Sequence, residues 1–269
     1  MELLNSLVGQ INDILWSYVL IILLIGAGII FTIRTKFVQI RFIKEMIRLI
    51  AGDAGNKMEG QQISSFQAFC VSTASRVGVG NIAGIAIAVV LGGPGAIFWM
   101  WIIAILGSAT GFVESTLAQI YKVPRTDSNG YLGGPAYYIN NALHSPKTAV
   151  FFAILISITY GLIFNSVQSN TISLSLQTAF NFDATMIGIV IAVFSGIVVF
   201  GGLHRIAKVT EYMVPIMAGI YLLIAFAITI YNISELPTVL SVIFKDAWGI
   251  ESVARGTIGA ALTTGIKRG

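Results

Sequence analysis

A succession of long apolar runs limits the possible folds of this chain more than any other feature. A helix needs about 20 apolar residues to cross the hydrocarbon core of a bilayer. Complete runs of this kind lie at residues 14–33, 66–91, 96–121, 148–176, 184–203 and 211–231, and a partial one lies at 251–269. The sequence therefore predicts an all-α polytopic membrane protein, with one transmembrane domain over residues 1–269.

The composition argues against the common soluble classes. Charged residues make up 10% of the chain and apolar residues 56%, whereas soluble domains are about 25% charged. One cysteine, Cys70, excludes an intramolecular disulfide and a multi-cysteine zinc site. His144 and His204 match no metal-ligand spacing. Neither lies within a predicted span, so neither is placed to act as the base for a serine nucleophile there. We expect no enzyme activity and no cofactor.

The basic residues are distributed unevenly between the predicted connections. Of 16 Lys and Arg residues, six lie in 34–65, three in 121–148 and two in 203–210, which share one side if the spans alternate. The connections on the other side carry only Lys245. Because cytoplasmic loops are enriched in Lys and Arg, we expect a cell-membrane protein with its N-terminus outside and these basic loops cytoplasmic. This topology explains the positive net charge without a nucleic-acid partner.

The cytoplasmic basic connection at 34–65 contains a predicted amphipathic helix at 37–50. One face is apolar and the other charged: Phe37, Ile40, Ile43, Ile47 and Ile50 against Arg41, Lys44, Glu45 and Arg48. This pattern is typical of a helix that lies on membrane lipid, and packing beneath the helix bundle is the alternative. A turn is predicted over 52–56. Ser64 and Gln67 resemble a capping box at the start of the second span.

The second span is interrupted by residues that a lipid-facing helix avoids. Positions 72–84 read Ser-Thr-Ala-Ser-Arg-Val-Gly-Val-Gly-Asn-Ile-Ala-Gly. A charge at the bilayer centre costs at least about 2.5 kcal/mol, and glycine weakens a helix by about 1 kcal/mol. We expect an unwound helix lining a cavity, whose carbonyls can bind a cation and whose N–H groups can hold a carboxylate. A small-residue packing face through Gly80 and Gly84 is the alternative.

Polar residues recur in the fourth span at helical spacing, at Ser157, Gly161, Asn165, Gln168 and Ser175. In a straight α-helix these residues lie roughly on one face. Gln168 and Asn165 can contact a substrate opposite the broken helix, or form hydrogen bonds between helices.

Glu114 is an acidic residue near the cytoplasmic end of the third span. It can form a gate or ion pair with Arg76 or take part in a proton step. A structural ion pair or a carboxylate that reaches toward water is the alternative.

Five segments of the sequence together carry a family resemblance. They are Val-Gly-Val-Gly-Asn-Ile-Ala-Gly at 77–84, Gly-Gly-Pro-Gly-Ala-Ile-Phe-Trp-Met-Trp at 92–101, Glu-x-x-Leu-Ala-x-x-Tyr at 114–121, Gly-Gly-Pro-x-Tyr-Tyr at 133–138 and Gly-Ile-Lys-Arg-Gly at 265–269. The chain resembles the alanine or glycine:cation symporter family along its whole length. The resemblance implies the leucine-transporter (LeuT) fold of two inverted five-helix repeats. Here an extra N-terminal helix would precede the first repeat, and the start of the second would follow.

The resemblance also implies a function and a binding site. The activity would be secondary transport, the sodium-coupled symport of a small neutral amino acid such as alanine or glycine, with protons as the alternative coupling ion. The amides of Val79 and Gly80 would bind the substrate carboxylate. Sodium, the only metal ion implied, would be bound by carbonyls around Ala74, Arg76 and Val77 and by the Asn81 side chain. Members commonly have Thr between the two glycines, where this chain has Val79.

The resemblance bears on the length of the chain as well. Family members continue after Arg-Gly with Leu-Phe-x-Asn-Glu-Ala-Gly and a second half, so residues 1–269 correspond to the N-terminal portion of a longer transporter. The alternative function is that of a truncated membrane fragment with a structural or interacting role only. On its own, such a portion is expected to insert with its N-terminus outside and not to bind or transport alanine.

Overall fold

The computed structural model describes residues 2–52, 63–125 and 130–248. The described chain is almost entirely helical. The α-helices are α1 Glu2–Ile14, α2 Leu20–Arg34, α3 Val38–Arg41, α4 Ile43–Gly52, α5 Ser65–Arg76, α6 Val79–Gly92, α7 Gly95–Ile120, α8 Pro135–Leu143, α9 Pro146–Ile158, α10 Asn165–Phe180, α11 Ala184–Val199, α12 Gly202–Tyr231 and α13 Leu236–Ala247.

Two π-helical segments and one hairpin complete the described structure. The π-helical segments Leu15–Val19 and Thr159–Phe164 connect α1 to α2 and α9 to α10. Strands β1 Val123–Pro124 and β2 Tyr131–Leu132 pair antiparallel. The partial seventh run at 251–269 and most of the predicted turn at 52–56 lie outside the described residues.

Several helices are long and apolar enough to cross a membrane. Within the described residues these are α7, α12 and the continuous run Pro146–Phe180. The pair α5 and α6 meets the same criterion as one broken span, and α2 and α11 are shorter apolar helices. The chain is thus an all-α membrane protein with several spans.

The structure differs from the sequence prediction at several connections, which contain helices. The stretch 203–210, predicted as a loop, forms the first turns of α12, because it contains no proline or glycine that would stop a helix. The amphipathic segment 37–50, predicted as one helix, is divided at Phe42 into α3 and α4. Most apolar side chains of α4 are exposed, with Ile47 at 61%, and Ile50 is half-buried.

The chain divides into two compact units. The first comprises Met1–Ile43, Gly80–Val113 and Ala225–Gly269. Its buried residues are mostly small, and α2 approaches α7 closely at Gly28, where a Cβ would lie 2.9 Å from the Leu106 Cβ. Small residues at helix contacts let the backbones come together, the usual way in which membrane helices pack.

In the same unit, α13 packs against the N-terminal end of α7. The Asp246 carboxylate accepts a hydrogen bond from the Gly95 N–H at 2.8 Å. The Trp99 indole N–H donates to the Ala247 carbonyl at 3.2 Å. Rings of α7 and α13 also pack together, with the Phe98 and Phe244 centroids 5.5 Å apart. Because the first N–H groups of a helix have no partner in the helix, Asp246 acts as a distant N-cap.

The second unit comprises Lys44–Val79 and Glu114–Ile224. Here the β1–β2 hairpin and α8 cover the C-terminal end of α7. A Cβ on Gly133 would lie 2.8 Å from the Ala118 carbonyl oxygen, so glycine is needed for this close approach. The Asn141 amide donates to the Tyr121 carbonyl at 3.4 Å. In the same unit, α10 packs along α11.

Candidate functional site at the helix break

The predicted interruption of the second span is confirmed as a break between α5 and α6. The two helices meet at an angle of 45°. Between them Val77 is extended, with φ −91° and ψ 95°, and its N–H donates to the Thr73 carbonyl at 2.8 Å. The carbonyls after Thr73 belong to the last turn of α5. At the end of a helix, the helix itself no longer supplies N–H partners for such C=O groups.

The break brings two oppositely polarised helix ends together. The C-terminal end of a helix carries partial negative charge on its carbonyls, and the N-terminal end carries partial positive charge on its N–H groups. Here α5 ends at Arg76 and α6 begins at Val79. The segment can therefore attract a cation at one end and an anion at the other.

Gln168 of α10 reaches the start of α6. The Val79 N–H donates a hydrogen bond to Gln168 Oε1 at 3.1 Å. A Cβ on Gly78 would collide with the Gln168 amide nitrogen, so this approach depends on glycine. The half-buried Gln168 side chain thus partners one of the N–H groups that the break frees. Gln168 was predicted either to contact a substrate or to form a hydrogen bond between helices. The observed contact is a hydrogen bond between helices, and its donor is the Val79 N–H, which is also predicted to bind the substrate carboxylate.

The π-helical segment Thr159–Phe164 comes immediately before α10. A π turn adds a residue to the helix and shifts the faces of the residues on either side of it, and such turns occur often at functional sites. Asn165 donates to the Gly161 carbonyl at 3.2 Å, and the Ser175 hydroxyl to the Thr171 carbonyl at 2.8 Å, both within their own helical run. A substrate contact of Asn165 stays a prediction.

The other predicted site residues lie on the two sides of the break. Ala74 is half-buried in the last turn of α5, and Arg76 and Val77 are exposed. Asn81 is exposed in the first turn of α6. A Cβ added at Gly80 would meet no atom within 4 Å from other parts of the described chain, which leaves open space there. The cation-binding role of these residues stays a prediction.

Glu114 lies in α7, close to Tyr138 of α8. Burial raises the pKa of the Tyr138 phenol above its ordinary value, and the nearby Glu114 carboxylate raises this pKa further. The phenol therefore stays protonated and remains a hydrogen-bond donor at neutral pH. The predicted pairing of Glu114 with Arg76 stays a prediction.

The sequence did not predict two contacts, one between α5 and α12 and one between α7 and α13. Gln67 was predicted only as a local capping residue, but it also bonds Glu211 of α12 at 2.8 Å. Asp246 had no predicted role, and it caps α7. The Gly-Gly-Pro-Gly turn before α7 was the one available signal for the second contact, because such a turn lets a backbone approach closely.

Comparison with known proteins identifies the family. The sequence profile described as "Sodium:alanine symporter family" matches residues 1–269. The chain is 51% identical over 268 residues to the "Probable sodium/glutamine symporter GlnT" of Bacillus subtilis, an alignment that covers 100% of this chain and 55% of that protein. It is 48% identical over 266 residues to the "Amino-acid carrier protein AlsT" of the same species, covering 98% and 56%.

A similarity extends to an archaeal protein. The chain is 36% identical over 269 residues to the "Sodium/alanine symporter AgcS" of Methanococcus maripaludis, covering 98% of this chain and 59% of that protein. The chain thus spans about half the length of the curated relatives it matches. A profile match over the whole chain and relatives of this identity lead to one conclusion: the chain belongs to the sodium:alanine symporter family, a family of multi-pass membrane transporters for sodium and amino acids.

Proposed function

We propose that the protein built on this chain couples the entry of sodium to the uptake of a small neutral amino acid, alanine or glycine. The observation that carries this proposal is the Val79 N–H at the start of α6, which already binds an acceptor oxygen, Gln168 Oε1, at 3.1 Å. A substrate carboxylate presents oxygens of the same kind. Sodium and alanine also appear together in the name of one relative, the archaeal AgcS.

In this proposal the N-terminus of α6 binds the carboxylate. The amides of Val79 and Gly80 point from the positive end of the helix dipole, the usual site for an anion. Gln168 occupies the Val79 amide when substrate is absent and moves aside, or shares the site, when substrate binds. Open space at Gly80 in the described chain leaves room for a second carboxylate contact.

The end of α5 supplies the proposed sodium site. Carbonyls around Ala74, Arg76 and Val77, together with the Asn81 side chain, are hard oxygen ligands that suit a hard cation. A bound sodium ion would place positive charge beside the substrate carboxylate. Because opposite charges a few ångströms apart attract each other, binding of the ion would favour binding of the amino acid.

The proposal includes a fold and an orientation in the membrane. We expect the inverted-repeat architecture of the leucine-transporter type, with the N-terminus outside and the basic connection 34–65 in the cytoplasm. The amphipathic α4 would lie on the cytoplasmic face of the cell membrane, where its exposed apolar side chains contact lipid.

Uptake assays test the proposed function directly. The gene that encodes this chain is expressed with whatever continuation its reading frame carries, and the product is reconstituted into proteoliposomes. Labelled alanine is expected to accumulate in a sodium gradient, and excess glycine is expected to compete. Equal uptake after replacement of sodium by choline would contradict the coupling ion. Because one relative is named as a glutamine symporter, competition by glutamine alone would reassign the substrate.

A Gly78→Ala variant tests the contact at the break. The added Cβ displaces the Gln168 amide from Val79, and a lost hydrogen bond of this type costs about 1 kcal/mol. The new methyl group would also crowd the Val79 N–H proposed to bind the substrate carboxylate, so uptake at low alanine concentration is expected to fall about fivefold. Gly107→Ala is the matched control, because no described atom lies within 4 Å of a Cβ there. If the two variants transport equally well, the Gly78–Gln168 contact has no part in transport.

A further inference from the structure

A hydrogen bond from the Gln67 side chain joins the half-helix α5 to α12. Both the nitrogen and the oxygen of this side-chain amide have hydrogen-bond partners. Gln67 Nε2 donates to Glu211 Oε2 at 2.8 Å, across 144 residues of sequence. The other end of the same amide, Gln67 Oε1, accepts from the Ser64 N–H at 3.1 Å, and the Ser64 hydroxyl accepts from the Gln67 N–H at 3.1 Å. This is the predicted capping box, and the structure confirms it.

The capping box determines which atom of the Gln67 amide faces Glu211. Since Oε1 is used by the Ser64 N–H, the amide nitrogen must point the other way, and a nitrogen donor is what a carboxylate requires. The Glu211 carboxylate also lies beside the first turn of α5, where negative charge is favourable. The bond therefore joins the two helices in one orientation.

The Gln67–Glu211 contact lies next to buried residues. Ser64 is 2% exposed, and Cys70, the next turn along α5, is fully buried. The Glu211 carboxylate is close enough to the Cys70 thiol to act on it electrostatically. If the Gln67–Glu211 bond is lost, we expect α5 to move away from α12 and Cys70 to become accessible to water.

We infer that Glu211 is a positioning residue for transport: through Gln67 it holds α5 against α12 and so fixes the C-terminal carbonyls of α5. The consequence for sodium binding rests on the proposed function above. The attachment itself does not, since it follows from the hydrogen bonds and burial of the described residues.

A charge exchange tests this inference. Gln67→Glu keeps the capping box, because Glu is as good as Gln at that position, but it places two carboxylates against each other. The double variant Gln67→Glu with Glu211→Gln restores an amide–carboxylate bond with the roles exchanged. Gln119→Glu is the matched control, because Gln119 faces Lys122 at 2.9 Å and a carboxylate is tolerated there.

Cys70 reports the position of α5 without any transport measurement. N-ethylmaleimide labelling in proteoliposomes is followed by mass spectrometry of the tryptic peptide that ends at Arg76, with the chain's one cysteine as its reporter. Labelling is expected to become about tenfold faster in the Gln67→Glu variant. The double variant and the Gln119→Glu control are expected to stay within about twofold of the unmodified protein.

A second readout concerns sodium. The sodium concentration for half-maximal uptake is expected to rise in Gln67→Glu and to return in the double variant, while the maximal rate changes less. Labelling that is unchanged in the single variant, or that stays fast in the double variant, overturns the inference. If labelling behaves as expected but uptake never depends on sodium, the positioning of α5 stands and the proposed function fails.

Discussion

Alanine uptake by a Gln168→Glu variant is expected to show a KM at least about tenfold higher than that of the unmodified protein, equivalent to about 1.4 kcal/mol of lost affinity. Gln168 Oε1 accepts from the Val79 N–H at 3.1 Å. Glu has the same shape as Gln and would place a carboxylate at the same amide. This built-in anion would occupy the position proposed for the substrate carboxylate and repel it.

A Gln168→Leu variant separates charge from shape. Leu fills a similar volume, carries no acceptor and leaves the Val79 N–H for the substrate, so its KM is expected to change by only about threefold. Initial rates of labelled alanine uptake over a range of alanine concentrations measure both values. Equal KM values for the Glu and Leu variants would show that no substrate carboxylate lies beside Gln168.

The second large effect concerns stability rather than transport. A Gly95→Val variant is expected to lower the thermal unfolding midpoint by about 6–12 °C, since overpacking against fixed backbone costs about 3 kcal/mol, the upper end of the usual range, and each kcal/mol shifts Tm by about 2–4 °C. A Cβ on Gly95 would lie 2.5 Å from the Ala247 nitrogen and 2.7 Å from its Cα. These are backbone atoms of α13, which cannot turn away as a side chain can.

Two comparisons show whether this loss comes from the contact between α7 and α13. Gly107→Val places the same residue in the same helix, where no described atom lies within 4 Å, and is expected to lower Tm by about 2 °C or less. Asp246→Ala removes the carboxylate that accepts from Gly95 and is expected to cost about 1 kcal/mol, as for other N-caps. The midpoint is read from tryptophan fluorescence in detergent, because Trp99 and Trp248 lie at this contact. An equal fall in Gly107→Val would show that valine in α7, not the contact, lowers Tm.

The broken span could be predicted because its causes are local. Arg76 and three nearby glycines raise the cost of a continuous membrane helix whatever surrounds it, and the structure has the break at Val77 and Gly78. The capping box of Ser64 and Gln67 was predictable for the same reason, since both partners lie within one turn. The start of α12 was missed because a hydropathy pattern marks apolar residues, and polar helical turns outside the membrane do not differ from loops by that measure.

Residue order alone was enough for the membrane class and the family of this chain, because insertion energies and short motifs depend on neighbours in sequence. The sequence singled out Gln168 as a candidate opposite the broken helix, but it did not give the partner atoms of three contacts that shape the candidate site and its supports. Gln168 meets Val79 across 89 residues, Gln67 meets Glu211 across 144, and Asp246 meets Gly95 across 151. Each pairs a side chain with a group that a helix end or a buried position leaves in need of a partner. Many polar side chains in the chain could serve such a group, and the one that does so is selected by how the helices pack.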